Sequence, residues 1–80
     1  DRAEQFLIEH GFLEDRVRLH GKIARIEVPP KDIPKLAADG IRQEVCEEFK
    51  RIGFQFVTLD MAGYRMGSMN TTLPQNNMKN

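Results

Sequence analysis

Eighty residues, 40% of them hydrophobic and 30% charged, suit one small globular domain with a modest core. Lys plus Arg and Asp plus Glu stand at 12 each, so no global field draws the chain to nucleic acid or to an acidic membrane; any electrostatic role must come from local clustering. One cysteine excludes an internal disulfide framework, no apolar run approaches the roughly 20 residues of a bilayer span, and the first residues are too polar for a signal peptide, so a cytoplasmic location is expected.

In chain order, residues 2–10 place Ala3, Phe6, Leu7 and His10 at helical spacing, with Asp1 as amino-terminal cap and Gly11 at the stop. A chain that opens on Asp1 and turns helical almost at once reads as a piece of a longer polypeptide. Over residues 14–28 the period changes to two. Val17 and Leu19 alternate with Arg16, Arg18 and His20; after Gly21, Ala24, Ile26 and Val28 alternate with Arg25 and Glu27. This pattern predicts a β-hairpin turning at Gly21, with one apolar face to bury and one face carrying Arg16, Arg18, His20, Arg25 and Glu27.

Pro29-Pro30 ends the second strand, since proline has no ladder donor. A short helix is expected over 31–38 through Ile33, Leu36 and Ala37, interrupted at Gly40, then a second over 41–52 with Ile41, Val45, Phe49 and Ile52 in one stripe, ended by Gly53. Residues 54–59 are apolar and β-branched enough to predict an inner third strand. Residues 63–70 form a glycine-punctuated loop, and 70–80, with few apolar residues, a disordered tail. The order predicts an α+β fold over residues 1–69: a small two-layer domain whose three-stranded sheet, the hairpin plus one strand, carries its helices on one face. It is similar to a ferredoxin-like sandwich lacking its first strand.

The sharpest chemical feature is the pair Arg16 and Arg18, which strand alternation projects from one face roughly 7 Å apart. Two guanidinium forks at that separation can hold the oxygens of a phosphate, with Arg25 closing a third side. A solvated face, in which Arg25 and Glu27 simply pair with neighbours, fits the same pattern. Gly63-Tyr64-Arg65 and Gly67-Ser68 are a second candidate: glycines allow close backbone approach, and Arg65 and Ser68 can donate to an oxyanion. Asp60, at the end of the last strand, is placed to orient an arginine or a metal-bound water. His20 reads as an exposed turn residue and Cys46 as a small hydrophobe beside three glutamates, which disfavour a thiolate. Met61, Met66 and Met69 cluster at the loop. No metal site is expected, and no nucleophile, acid–base pair or phosphate-cradling loop with a lysine is present, so no residue is nominated as catalytic.

Two runs carry a family resemblance: Arg16-Val17-Arg18-Leu19-His20-Gly21 continuing through Ile23-Ala24-Arg25-Ile26-Glu27-Val28, and Gly53 to Asp60 followed by Gly63-Tyr64-Arg65-Met66-Gly67-Ser68-Met69-Asn70. Together they resemble the end region of the ATP-dependent sacrificial sulfur transferases of the PP-loop group, over roughly residues 3–70. The resemblance implies a carboxyl-terminal domain of a larger PP-loop protein. That protein adenylylates a pyridinium mononucleotide with ATP and magnesium, then transfers sulfur from its own cysteine, in making a nickel-pincer cofactor. It implies that Arg16, Arg18 and Arg65 contribute to a phosphate site, and that the ATP loop and donor cysteine lie upstream, Cys46 not being the donor. No cofactor is expected on this stretch alone. The expected partners are the upstream ATP-binding domain, the nucleotide substrate and further copies of the full-length protein, with no nucleic acid and no membrane. Met66 departs from the family's usual small polar residue. A structural or oligomerisation module is the alternative; single-stranded RNA binding is disfavoured because the arginine face is expected to lack aromatics.

Overall fold

The computed structural model describes residues 1–64. The carboxyl-terminal part of the expected glycine loop, with Arg65, Met66, Ser68 and Met69, and the expected tail lie outside them. Helix α1 spans Arg2–Glu9, strands β1 and β2 span Arg16–His20 and Ile23–Glu27, α2 spans Ile33–Ala37, α3 spans Asp39–Ile52 and β3 spans Phe56–Leu59. A 3₁₀ turn over Pro30–Asp32 leads into α2. The predicted class holds: one small α+β domain with its helices packed on one side of a three-stranded sheet.

Local chemistry sets most of these boundaries. The Asp1 side chain accepts the Glu4 amide at 2.8 Å, capping α1, and Gly11 follows the helix at φ +96°. β1 and β2 pair antiparallel around a two-residue turn at Gly21 and Lys22, with Arg16 opposite Glu27, Val17 opposite Ile26 and Arg18 opposite Arg25. Gly53, at φ +131°, donates to Phe49 and Lys50 and closes α3.

Two expectations about element placement change. Gly40 does not interrupt a helix; it lies in the first turn of α3, where backbone amides have no intrahelical partner to lose. The break falls instead at Ala38, whose extended backbone (φ −68°, ψ 150°) separates α2 from α3. The third strand is not the inner one. The sheet order is β1-β2-β3, so β2 is central and β3 lies at an edge among the described residues, parallel to β2 with Ile23 opposite Phe56 and Arg25 opposite Thr58. Apolar density marked β3 as a strand, but its place follows from the α2–α3 crossover, which carries the chain to the far side of β2.

The core lies between the helices and one sheet face. Leu7 from α1, Phe12, Val17 from β1, Ala24 and Ile26 from β2, Val28, Leu36 from α2, and Val45 and Phe49 from α3 are buried. Phe49 meets Phe6 edge-on, with ring centres 6.5 Å apart, and Phe54 at 5.8 Å. The stripe through Ile41, Val45, Phe49 and Ile52 faces this core as predicted. Leu19, expected to bury with Val17, is exposed at the hairpin tip. Among the described residues no helix is long and apolar enough to cross a membrane.

Candidate functional site

The alternation that sends Val17, Ala24, Ile26, Val57 and Leu59 toward the helices sends Arg16, Arg18, Arg25, Glu27 and Thr58 to the other face of the sheet. No described helix covers that face. Register brings Arg18 directly opposite Arg25, a like-charged pair that would repel if left alone. Glu27 resolves the conflict. Its carboxylate is almost wholly shielded and accepts from both guanidiniums: Arg18 Nε donates to Oε1 at 3.3 Å and Arg25 Nη2 donates to Oε2 at 3.1 Å. The two arginines are thereby pinned side by side while each stays about half exposed.

Arg16 is held differently. Directly across from Glu27, it carries its guanidinium 5.7 Å from the centre of the Tyr64 ring, a cation–π contact. Tyr64 reaches this place through a tight return. The Asp60 amide donates to Ile26 O at 2.9 Å, Asp60 Oδ1 accepts from Ala62 N–H at 2.9 Å, and Tyr64 N–H donates to Val28 O at 2.7 Å. Gly63 makes the return possible. Its φ is +84°, and a Cβ there would lie 2.9 Å from Val28 O.

Asp60 stands beside Arg25. Its Oδ2 lies 3.9 Å from Arg25 Nε, close enough for ion pairing but too far for a hydrogen bond. That Nε is shut off from solvent and has no acceptor. With three guanidiniums against the carboxylates of Glu27 and Asp60, the face is net cationic.

Behind Arg16, Asp15 and Glu4 form a second charged group. Glu4 Oε2 accepts the Val17 amide at 3.0 Å, tying α1 to β1. Both oxygens of Asp15 are screened from solvent and unpartnered. Burial pushes the Asp15 carboxyl up from 3.8 to about 6; the negative Glu4 adds to the rise, while Arg16 and the amino-terminal ammonium oppose it.

The structure thus gathers Arg16, Arg18 and Arg25 on one face of the sheet. A cavity of about 460 Å³ runs along α1 by Phe6 and Glu48, away from these arginines. The bland alternative is realised in part, because Arg25 and Glu27 do pair. Arg65 and Ser68 lie outside the described residues, one and four positions after Tyr64. His20 is exposed as expected, and Cys46 is free and half-buried beside an apolar groove lined by Leu36, Val45, Val57 and Leu59. Among the described residues no group of three His, Cys, Asp or Glu could hold a metal ion.

The roles of Glu27 and Tyr64, and the place of Phe56, go beyond the sequence reading. Glu27 as organiser was findable, since a hairpin turning at Gly21 sets it opposite Arg16. Tyr64 was not, because its place depends on the return through Gly63. Phe56 corrects the expectation of a face without aromatics: β3 alternation and its pairing with Ile23 set it on the arginine side, 59% exposed.

No family model matches the chain. It is 42% identical over 71 residues to the pyridinium-3,5-bisthiocarboxylic acid mononucleotide synthase of Lactiplantibacillus plantarum, which covers 89% of this chain and 25% of that protein. It is 40% identical over 72 residues to an uncharacterized protein of Synechocystis, covering 90% of this chain and 27% of that protein. The chain therefore spans about a quarter of the length of the curated relatives it matches.

Proposed function

We propose that this chain is the substrate-phosphate-binding domain of an ATP-dependent sulfur transferase acting on a pyridinium mononucleotide. The observation that carries the reading is the arginine cluster organised by one shielded glutamate, in a chain 42% identical to a synthase named for a mononucleotide. Arg18 and Arg25 supply paired, half-exposed guanidiniums at a spacing fixed by Glu27, which a phosphate can engage from the solvent side. Arg16, carried on the Tyr64 ring, closes one side. Arg65 and Ser68 add donors from the segment that follows. Glu27 sets the geometry and keeps the site from becoming a diffuse cationic patch.

On this reading the chain binds and orients, while bond making takes place elsewhere in the same polypeptide. An upstream PP-loop domain holds ATP and magnesium and activates the substrate carboxylate. The sulfur donor is a cysteine of that remainder and not Cys46, which sits half-buried on α3. The full-length protein works as a homo-oligomer in the cytoplasm.

The test is an NMR titration of the full-length protein with inorganic phosphate and with nicotinic acid mononucleotide. Shifts should concentrate at Arg16, Arg18, Arg25 and residues 63–68. The double substitution Arg16→Glu with Arg18→Glu should abolish them without altering oligomer size. A flat response across those positions defeats the reading, and loss of assembly in the double variant supports an oligomerisation module instead.

A further inference from the structure

The open sheet face has two chemically different ends. Toward Tyr64 it carries the arginines; toward the hairpin tip it carries Ile23 and Phe56, opposite each other across β2 and β3, 39% and 59% exposed. Single exposed apolar residues are ordinary on protein surfaces. Here two are register partners, and they adjoin a cluster of guanidiniums. Phe56 stands two residues before Thr58, which lies opposite Arg25, so the ring is set off from the Arg25 position by about 7 Å along the strands. A single ribose bridges a step of that length between a phosphate and a planar ring.

We propose that Phe56, backed by Ile23, is the platform on which the ring of the phosphorylated ligand lies, making it the specificity-determining residue of this face. The inference rests on the phosphate-binding reading above and adds the half of the ligand that the arginines do not address. The face of a phenyl ring is electronegative, so it favours a positively charged planar ring over a neutral one. A pyridinium mononucleotide presents an anion at one end and a cationic ring at the other, in the order in which the face presents guanidiniums and phenyl. A nucleic-acid strand fits less well. It needs a continuous cationic track with repeated stacking positions, whereas here Glu27 and Asp60 interrupt the positive charge and, among the described residues, the Tyr64 ring already carries the Arg16 guanidinium, leaving the Phe56 ring to stack.

The experiment compares three ligands on the full-length protein: inorganic phosphate, ribose 5-phosphate and nicotinic acid mononucleotide, each with the native residue, Phe56→Ala and Phe56→Tyr. Removal of the ring should weaken the mononucleotide by about fivefold or more, leave the other two within about twofold, and be rescued by tyrosine. In the unmutated protein, the Phe56 ring protons should shift with the mononucleotide and not with ribose 5-phosphate, a readout that needs no variant. If Phe56→Ala weakens all three ligands alike or none of them, or if the ring protons stay unmoved, the platform is wrong even where the phosphate site stands. If the mononucleotide binds through Phe56 while phosphate and ribose 5-phosphate fail to bind, the platform stands and the phosphate reading falls. Tighter, Phe56-dependent binding of oligouridylate overturns the proposal in favour of single-stranded RNA. A change of oligomer size in Phe56→Ala at unchanged ligand affinity overturns it in favour of a subunit contact.

Discussion

Replacing Asp15 with asparagine should stabilise the fold at neutral pH and leave it nearly unchanged in acid. The Asp15 oxygens are shielded without a partner, and the folded carboxyl titrates at about 6 instead of 3.8. The fold therefore favours the protonated form. The contribution is complete below the unfolded value and is lost as pH rises through about 6, the opposite of a carboxylate held by a salt bridge. The rise alone sets a ceiling of about 3 kcal/mol. Asp15 lies near the surface, where solvent screens much of its interaction, so about 1 kcal/mol is the effect to expect. For a domain of this size that corresponds to about 4–8 °C in Tm. Thermal unfolding followed by circular dichroism at pH 4 and pH 7.5 measures it. An asparagine amide in the same place has its own unmet hydrogen bonds at both pH values, so the diagnostic quantity is the change in the variant-minus-native difference between them. A difference that is the same at pH 4 and pH 7.5 refutes the argument.

Two further substitutions probe how the arginine face is held. Glu27→Gln removes the charge between Arg18 and Arg25 and should cost about 1–2 kcal/mol by urea denaturation at low salt. Part of that loss should return at high salt, as the repulsion between the facing guanidiniums is screened. Gly63→Ala places a methyl group 2.9 Å from Val28 O at positive φ, at a carbonyl already fixed by Tyr64 N–H. It should strain the return by about 1–3 kcal/mol and speed hydrogen exchange at the Tyr64 amide, with a much smaller effect on exchange in α3.

What could be read ahead of the structure was whatever is decided within a few residues. Asp1, Gly21 and Gly53 act locally, through a cap, a hairpin turn and a helix stop, and each did so where expected. Alternation in the hairpin likewise put Arg16, Arg18 and Arg25 on one face. The misread features depend on contacts distant in sequence. Residues 54–59 look like a buried strand because they are apolar, yet Phe54 packs on Phe49 while Phe56 points to the open side. Which neighbour β3 takes is decided by the helical crossover, and periodicity within the strand carries no record of it. Leu19 shows the converse: the alternation is correct, but the helical layer does not shield the hairpin tip. Gly40 was overweighted because its cost applies to helix interiors, and it occupies a first turn.

The two seams of the sheet have different origins. The β1–β2 seam closes around two residues, whereas the β2–β3 seam joins Ile23 to Phe56 through everything that lies between them. Loop closure makes the first inexpensive and the second costlier, since the chain between its partners runs through α2 and α3. Arg16, Arg18, Arg25 and Glu27 thus belong to one hairpin, while Phe56 and Thr58 join it through the β2–β3 ladder that the α2–α3 crossover brings into place. Damage to the buried side of α3 would be felt across the sheet, as loss of registry between the half of the face that grips charge and the half that meets a ring.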